Sequence, residues 1–447
     1  MRPTTPPATP AGPSDASSTT ASRGPSTDPE APAAPPRDRT ALFVLLVGSL
    51  TLLPAVTTDM YLPSLPEVAR DLGTSEAGAQ FTITGMLIGA ALGQLLVGPF
   101  SDRVGRRRPV LIGVSLHVVI SLLCVVVSTI EQLATLRVLQ GLVSAGATVV
   151  AMAVVRDRYA GAEAARIISR LMLVIAAAPL LAPTIGSVIA DIWDWRAVFV
   201  ALALFAVVLV VVVARFLPET LPVERRIAHG LGASLRGYAG LLRDRRFVAL
   251  AVIPGLSMAL IMSYVAGSPF VLQNGYGLNP QEFALVFGIG GTSLVAGSQV
   301  NAALVRRIGP LRLLRAGLPA VVVAAAVLVP VAATRTGGVA GFVAVLWVTT
   351  ALLGFVMANA SALALSRHGE RAGTAAAVIG FLQAGLAGVV SPVVGLVGGD
   401  ALAMTGVMLA SVVLALVILA VGTPAYRRGG WVELETAGQA EPIPVHG

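Results

Sequence analysis

The chain of 447 residues contains no lysine, so its basic character rests on 31 arginines alone. Only 12% of its residues are charged and 5% aromatic, against about 25% charged in soluble domains. A water-soluble fold of this composition would lack the charge to cover its surface. The one cysteine, Cys124, lies in an apolar run, which excludes a disulfide framework and a cysteine-based metal site. The four histidines have no ligand-like spacing, so no metal centre is expected. Paired carboxylates, a Ser/His/Asp set and a nucleotide-binding loop are also missing. An enzyme or an ATP-driven pump is therefore not expected, nor is any cofactor.

What remains is apolar length. The mean hydropathy is +0.83. Each membrane crossing needs roughly 20 apolar residues, and twelve stretches qualify: 41–62, 77–97, 109–128, 132–155, 167–190, 197–217, 247–269, 282–304, 313–333, 339–365, 373–396 and 401–421. The class is thus an all-α membrane protein. Residues 1–38 are rich in Pro, Ser, Thr and Ala without the apolar core of a signal peptide, and read as a disordered tail. Residues 422–447 read as a second, shorter tail.

The net charge of +8 would suit nucleic acid, but the arginines sit between apolar stretches and build no basic domain. With both termini in the cytoplasm, 27 arginines fall on the cytoplasmic side or in the tails. Only Arg70, Arg196 and Arg335 fall outside, and Arg137 lies within a span. That asymmetry is the positive-inside pattern, and an odd number of spans would destroy it. Trp193 and Trp195 occupy a short outer turn, as interfacial anchors do.

The longest internal connection, 218–246, divides the chain into six-span halves at 39–217 and 247–421. The halves echo each other weakly. Asp102-Arg103-Val104-Gly105-Arg106-Arg107-Arg108 recurs as Arg306-Arg307-Ile308-Gly309-Pro310-Leu311-Arg312 at an offset of 204 residues, without the aspartate. Duplicated halves of this kind are a transporter architecture.

Two charges lie well inside the spans, Asp59 and Arg137, at similar depth in the outer half of the membrane. Each costs roughly 2.5–3.5 kcal/mol at the bilayer centre on insertion scales, so each needs a cavity or a partner. For Asp59 two readings stand: a carboxyl that binds and releases a proton as its surroundings change, or an interfacial group where the span ends near Pro63. Arg137 stays charged at biological pH. It either tunes a carboxylate or anchors backbone carbonyls. His117 reads as a structural intramembrane histidine, and the amides of Gln80, Gln94, Gln140, Gln299, Asn301, Asn359 and Gln383 as interhelical hydrogen-bonding groups.

Several motifs carry a family resemblance. Gly98-Pro99-Phe100-Ser101-Asp102-Arg103-Val104-Gly105-Arg106-Arg107 resembles the signature loop of the major facilitator superfamily. Gly105 permits a positive φ there, the arginines hold the loop in the cytoplasm, and Asp102 is suited to accept hydrogen bonds from a helix N-terminus. Leu136-Arg137-Val138-Leu139-Gln140-Gly141, then Gly146, resembles the family's fourth-span motif, whose arginine is linked to proton transfer. Pro179, Pro183 and Gly186 resemble the fifth-span motif of drug:proton antiporters, although Ala182 and Ser187 stand where glycines are usual. Thr58-Asp59-Met60-Tyr61-Leu62-Pro63 is similar to the bicyclomycin/chloramphenicol-resistance antiporters. Val155-Arg156-Asp157, Trp195-Arg196-Ala197-Val198-Phe199 and the run Tyr264–Gln273 are similar to them too.

The resemblance implies a major facilitator fold of twelve helices, with Asp59 at the family's acidic position. It implies proton-coupled efflux of small drug-like molecules by alternating access, from a monomer in the bacterial inner membrane. Its partners would be the substrate, protons and the lipid bilayer, and no nucleic acid. The competing readings are export of a single endogenous metabolite and a non-transporting receptor or scaffold.

The topology is checked in a Cys124→Ala background with single cysteines at Asp194 and Glu224. A membrane-impermeant maleimide is expected to label position 194 in intact cells, and position 224 only after lysis.

Overall fold

The computed structural model describes residues 37–159, 161–226, 231–366, 368 and 371–426. Contacts divide the chain into Met1–Ala41 and Leu42–Gly447. The first unit enters the description only as the opening turn of a helix, and the two expected tails lie almost wholly outside the described residues. The second unit holds the rest of the fold.

Among the described residues there is no strand. Twelve long helices follow one another: α1 (Arg37–Asp59), α2 (Glu76–Val104), α3 (Arg107–Val125), α4 (Ile130–Arg158), α5 (Gly161–Ile192), α6 (Trp195–Phe216), α7 (Arg245–Pro269), α8 (Pro280–Ile308), α9 (Pro310–Thr334), α10 (Gly338–Ser366), α11 (Ala372–Val390) and α12 (Ala401–Gly422). The 29 residues of α2 reach about 43 Å at 1.5 Å per residue, beyond the ~30 Å of a bilayer core.

Eleven spans among the described residues are long and apolar enough to cross a membrane, one fewer than the sequence suggests. The difference lies in α5. Its apolar section is Ala177–Ile192, and several side chains of the expected span 167–190 lie outside the described residues. The expected central loop also differs, because it contains a short helix, Leu231–Arg243.

Polar caps start the helices at the arginine-poor end. Ser75 accepts from Gly78 N–H, Thr129 from Gln132, Asp194 from Arg196 and Ala197, and Asp400 from Ala403. Asn279 and Glu282 form a reciprocal capping box on α8. Each such cap contributes about 1 kcal/mol. At the opposite end, α2 stops at Gly105 (φ 98°) and α8 at Gly309 (φ 85°). The sequence echo at an offset of 204 is thus also an echo of backbone geometry.

Glycines set the helix spacing. A Cβ on Gly89 would overlap the Val138 carbonyl, one on Gly93 would lie 2.6 Å from the Leu142 carbonyl, and one on Gly141 would overlap the Met86 carbonyl. The α2–α4 seam is therefore backbone against backbone. In the second half, Gly297 of α8 meets the Ala351 carbonyl and Gly354 of α10 meets Gly297 in return. Small residues allow this approach where lipid offers no hydrophobic drive for helix association.

Gly141→Val is expected to cost about 1–3 kcal/mol or more through overpacking, read as a lowered Tm in detergent. Gly406→Ala, where a Cβ meets open space, should leave Tm nearly unchanged.

Candidate functional site

The seam turns one face of α4 inward, and Arg137 lies on that face. It is fully buried. Its Nη1 donates to the Thr57 carbonyl (3.1 Å) and to Gln140 Oε1 (2.7 Å). Its guanidinium stands 4.9 Å from the Tyr61 ring centre and 5.9 Å from that of Phe199. Nε and Nη2 have no partner among the described residues. The charge therefore rests on neutral groups and on aromatic faces, which attract desolvated cations.

From Arg137 a hydrogen-bond chain continues through the first half. Gln140 Nε2 donates to Ser121 Oγ (2.9 Å), and Ser144 Oγ bonds the Gln140 carbonyl (2.6 Å) and His117 Nδ1 (3.0 Å). His117 is fully enclosed. This chain ties α1, α3 and α4 together.

Asp59 is the last residue of α1 and is 9% exposed. Among the described residues its carboxylate has neither a hydrogen-bond donor nor an ion-pair partner, and Arg137 is not paired with it. Tyr264 of α7, in the other half, lies within electrostatic range of it. Tyr264 is itself buried and stacks on Phe287 at 5.4 Å. The chain after Asp59 turns through a short helical segment, Leu62–Ser64, that remains buried. Asp59 is thus not a solvent-facing end of a span.

The motif residues of α5 meet the same region. A Cβ on Gly186 would overlap the Met60 carbonyl, next to Asp59. Pro179 packs against Gly291 of α8, so close that a Cβ there would lie 2.6 Å away. Pro183 is buried inside α5. On α4, Gly141 and Gly146 face Met86 and Val97 of α2. Gly98 has only ordinary contact around its missing Cβ, at 3.6 Å from Val149, and its carbonyl accepts from Ser101 Oγ.

The signature loop forms a second polar cluster around Arg106. Its Nη1 pairs with Asp102 and donates to Ser101 Oγ (2.7 Å), and its Nε pairs with Asp157 of α4 at 2.9 Å. Asp102 thus meets a side chain and not a helix N-terminus, contrary to expectation. The N-terminus of α3 is capped instead by Glu219, which accepts from Arg106 N–H (2.8 Å) and Arg107 N–H (3.3 Å). Gly105 is required twice here: its φ is 98°, and a Cβ would overlap the Glu219 carboxylate. Arg107 also donates from Nη2 to the Ala214 carbonyl, while Arg103 is exposed. Glu219 follows α6 in sequence and carried no motif signal. The signal for Asp157 was its place in Val155-Arg156-Asp157.

Side-chain hydrogen bonds also join the first six helices to the chain beyond residue 230. Three lie at the arginine-poor end: Gln273 Nε2 to the Pro63 carbonyl, Asn274 Nδ2 to Glu76 Oε1, and Gly395 N–H to Gln80 Oε1, each 3.0 Å. At the other end Tyr238, in the short helix, donates to the Leu95 carbonyl (3.1 Å).

Comparison with known proteins decides the family. Residues 47–392 match the model of the Major Facilitator Superfamily. The chain belongs to that superfamily. "Uncharacterized MFS-type transporter YdgK" of Bacillus subtilis is 37% identical over 380 residues, 85% of this chain and 94% of that protein. "Bicyclomycin resistance protein homolog" of Haemophilus influenzae is 30% identical over 350 residues, 77% and 86% of the two chains. "Chloramphenicol resistance protein" of Pseudomonas aeruginosa is 30% identical over 327 residues, 72% and 75%. The fold matches the crystal structure of a mutant form of the nucleoside transporter NupG, with a TM-score of 0.70, 14% identity, and 87% of this chain and 100% of that one covered. This protein is therefore a multi-pass membrane transporter of small molecules, and the resemblance to the drug-resistance members holds.

Partial burial opposes ionisation of Glu219. The N–H groups of Arg106, Leu221 and Arg107 and the charge of Arg226 outweigh it and hold the carboxyl below its ordinary 4.5. A depressed carboxyl stabilises the fold above its unfolded pKa and loses that contribution as pH falls through the folded value. Glu219→Gln is therefore expected to lower Tm by a few degrees at pH 7, with the gap from wild type narrowing below pH ~4.5.

Proposed function

We propose that this transporter exports small amphipathic, drug-like molecules in exchange for protons, with Asp59 as the proton-binding group. One observation carries the reading. Asp59 is a buried carboxylate with no donor and no cation beside it among the described residues, at the junction of α1, α5 and the α7 side of the other half. Such a group is costly as an anion. It gains by binding a proton in this arrangement and by releasing it where water reaches it.

Arg137 is a positioning residue in this scheme. It holds the Thr57 carbonyl, two residues before Asp59, and so sets where α1 ends. The fourth-span residues Gln140, Gly141 and Gly146 keep α4 against α2 and orient Arg137. Pro179, Pro183 and Gly186 let α5 pass close to both α8 and the end of α1. The loop from Gly98 to Arg107 couples α2, α4 and the segment after α6 into one unit on the arginine-rich side.

Residues 39–217 and 247–421 are the two bodies that rock against each other, with 218–246 as the connection. Both termini and the arginine-rich loops are cytoplasmic. The hydrogen bonds at Pro63, Glu76 and Gln80 then close the outer side, and opening outward must break them. The names of the Haemophilus and Pseudomonas relatives support antibiotics as substrates. The protein acts as a monomer.

The test uses proteoliposomes with an interior pH dye, an imposed proton gradient, and a panel of antibiotics and cationic dyes. Wild type is expected to show substrate-dependent proton flux, and Asp59→Asn to lose it by about a hundredfold or more, the scale of one proton-transfer group. Equal flux in both proteins would remove Asp59 from the mechanism. Absence of flux with every compound would favour a narrow metabolite exporter.

A further inference from the structure

Two grooves open on the lipid-facing surface, one on each side of the first turns of α4. The first, about 550 Å³, lies between α2 and α4 and has Gly85, Ile88, Ala134 and Val138 on its walls. The second, about 570 Å³, lies between α3 and α4 along Leu123, Val126, Val127 and Leu136. Both are bordered by the same two residues, Glu131 and Thr135. The two grooves thus share one polar border.

That border lies in the first turns of α4, just after its cap Thr129, at the arginine-poor end. Glu131 and Thr135 border open space there, and Glu131 is exposed. Ile88 is 39% exposed, Leu123 46% and Val126 76%. In a membrane these surfaces meet acyl chains, with Glu131 at the level of the headgroups. The first groove holds a further polar feature: Thr84 borders it, is 6% exposed, and its Oγ1 has no hydrogen-bond partner among the described residues. A buried hydroxyl without a partner calls for an acceptor.

We infer that this double groove is a binding site for one two-chained phospholipid with a primary-amine headgroup, seated in the leaflet at the arginine-poor face. One acyl chain lies along each groove. The ammonium donates to the Glu131 carboxylate and to Thr135 Oγ1, whose own hydrogen is engaged by the Glu131 carbonyl. An ester carbonyl of the glycerol backbone accepts from Thr84 Oγ1. The match of charge selects the lipid class. A phosphatidylglycerol presents no cation to Glu131, and a choline headgroup has a cation without N–H donors. This site is separate from the buried region around Asp59 and does not depend on the transport reading.

The test is native mass spectrometry of the full-length protein after delipidation. It is then exposed to equimolar phosphatidylethanolamine, phosphatidylcholine and phosphatidylglycerol, with lyso-phosphatidylethanolamine as a fourth arm. Wild type is expected to retain one phosphatidylethanolamine with about tenfold preference over phosphatidylglycerol, the scale of one charge-assisted hydrogen bond. Glu131→Gln should abolish the preference, and Glu131→Lys should invert it toward phosphatidylglycerol. All three proteins are expected to keep the same Tm in detergent without lipid, which separates lost selectivity from lost folding. An unchanged preference in both variants, or no retained lipid in the wild type, would overturn the assignment. Retention of the single-chain lyso lipid equal to that of the two-chain lipid would overturn it as well, since the geometry calls for both grooves.

Discussion

Backbone-to-backbone contact between α2 and α4 is the constraint on which the rest of the arrangement depends. Lipid tails are as apolar as leucine, so helices in a bilayer are held by packing and polar contacts. With Gly89 and Gly93 against α4, and Gly141 against α2, the two helices have one rotational setting. That setting turns Arg137 inward, under Tyr61 and beside Thr57. A side chain at Gly141 would part the helices and weaken the hold on the end of α1. The Gly297–Gly354 pair does the same for α8 and α10.

Arg106 and Arg137, both buried, show two ways of holding a cation. Arg106 lies at the arginine-rich end between the carboxylates Asp102 and Asp157, and its own backbone N–H is capped by Glu219. Opposite charges meet there in a partly wet setting, and the result is a rigid joint between α2, α3 and α4. Arg137 has no carboxylate partner among the described residues. It relies on a carbonyl, an amide and two aromatic faces. Asp59 is left without either kind of support. A buried carboxylate without a partner is costly as an anion.

Much of this was legible along the chain. Apolar length and the arginine asymmetry located the helices, because a bilayer imposes both on any spanning chain. The loop glycines at 105 and 309 announced matching turns, and both adopt positive φ. Other features were not legible. Glu219 lies 113 residues from the backbone N–H that it caps, and no local pattern signals such a contact. The short helix Leu231–Arg243 lies in a charged connection whose composition resembles a loop. Asp102 was matched to a helix N-terminus on charge alone, while the actual geometry gave that place to a longer side chain arriving from the end of α6.

The sequence by itself determined that this is a polytopic α-helical membrane protein, and which of its charges are anomalous. Those conclusions follow from transfer free energies, which depend on residue type and span length and not on neighbours. Tertiary structure alone decided what each anomalous charge meets. Arg137 is enclosed by Tyr61, Phe199, Thr57 and Gln140, while Asp59 meets no donor among the described residues. Similar depth in the membrane made the two look like partners. Depth is a one-dimensional quantity, and pairing also requires the rotation of each helix about its axis, which the glycine seams set through contacts between residues distant in the chain.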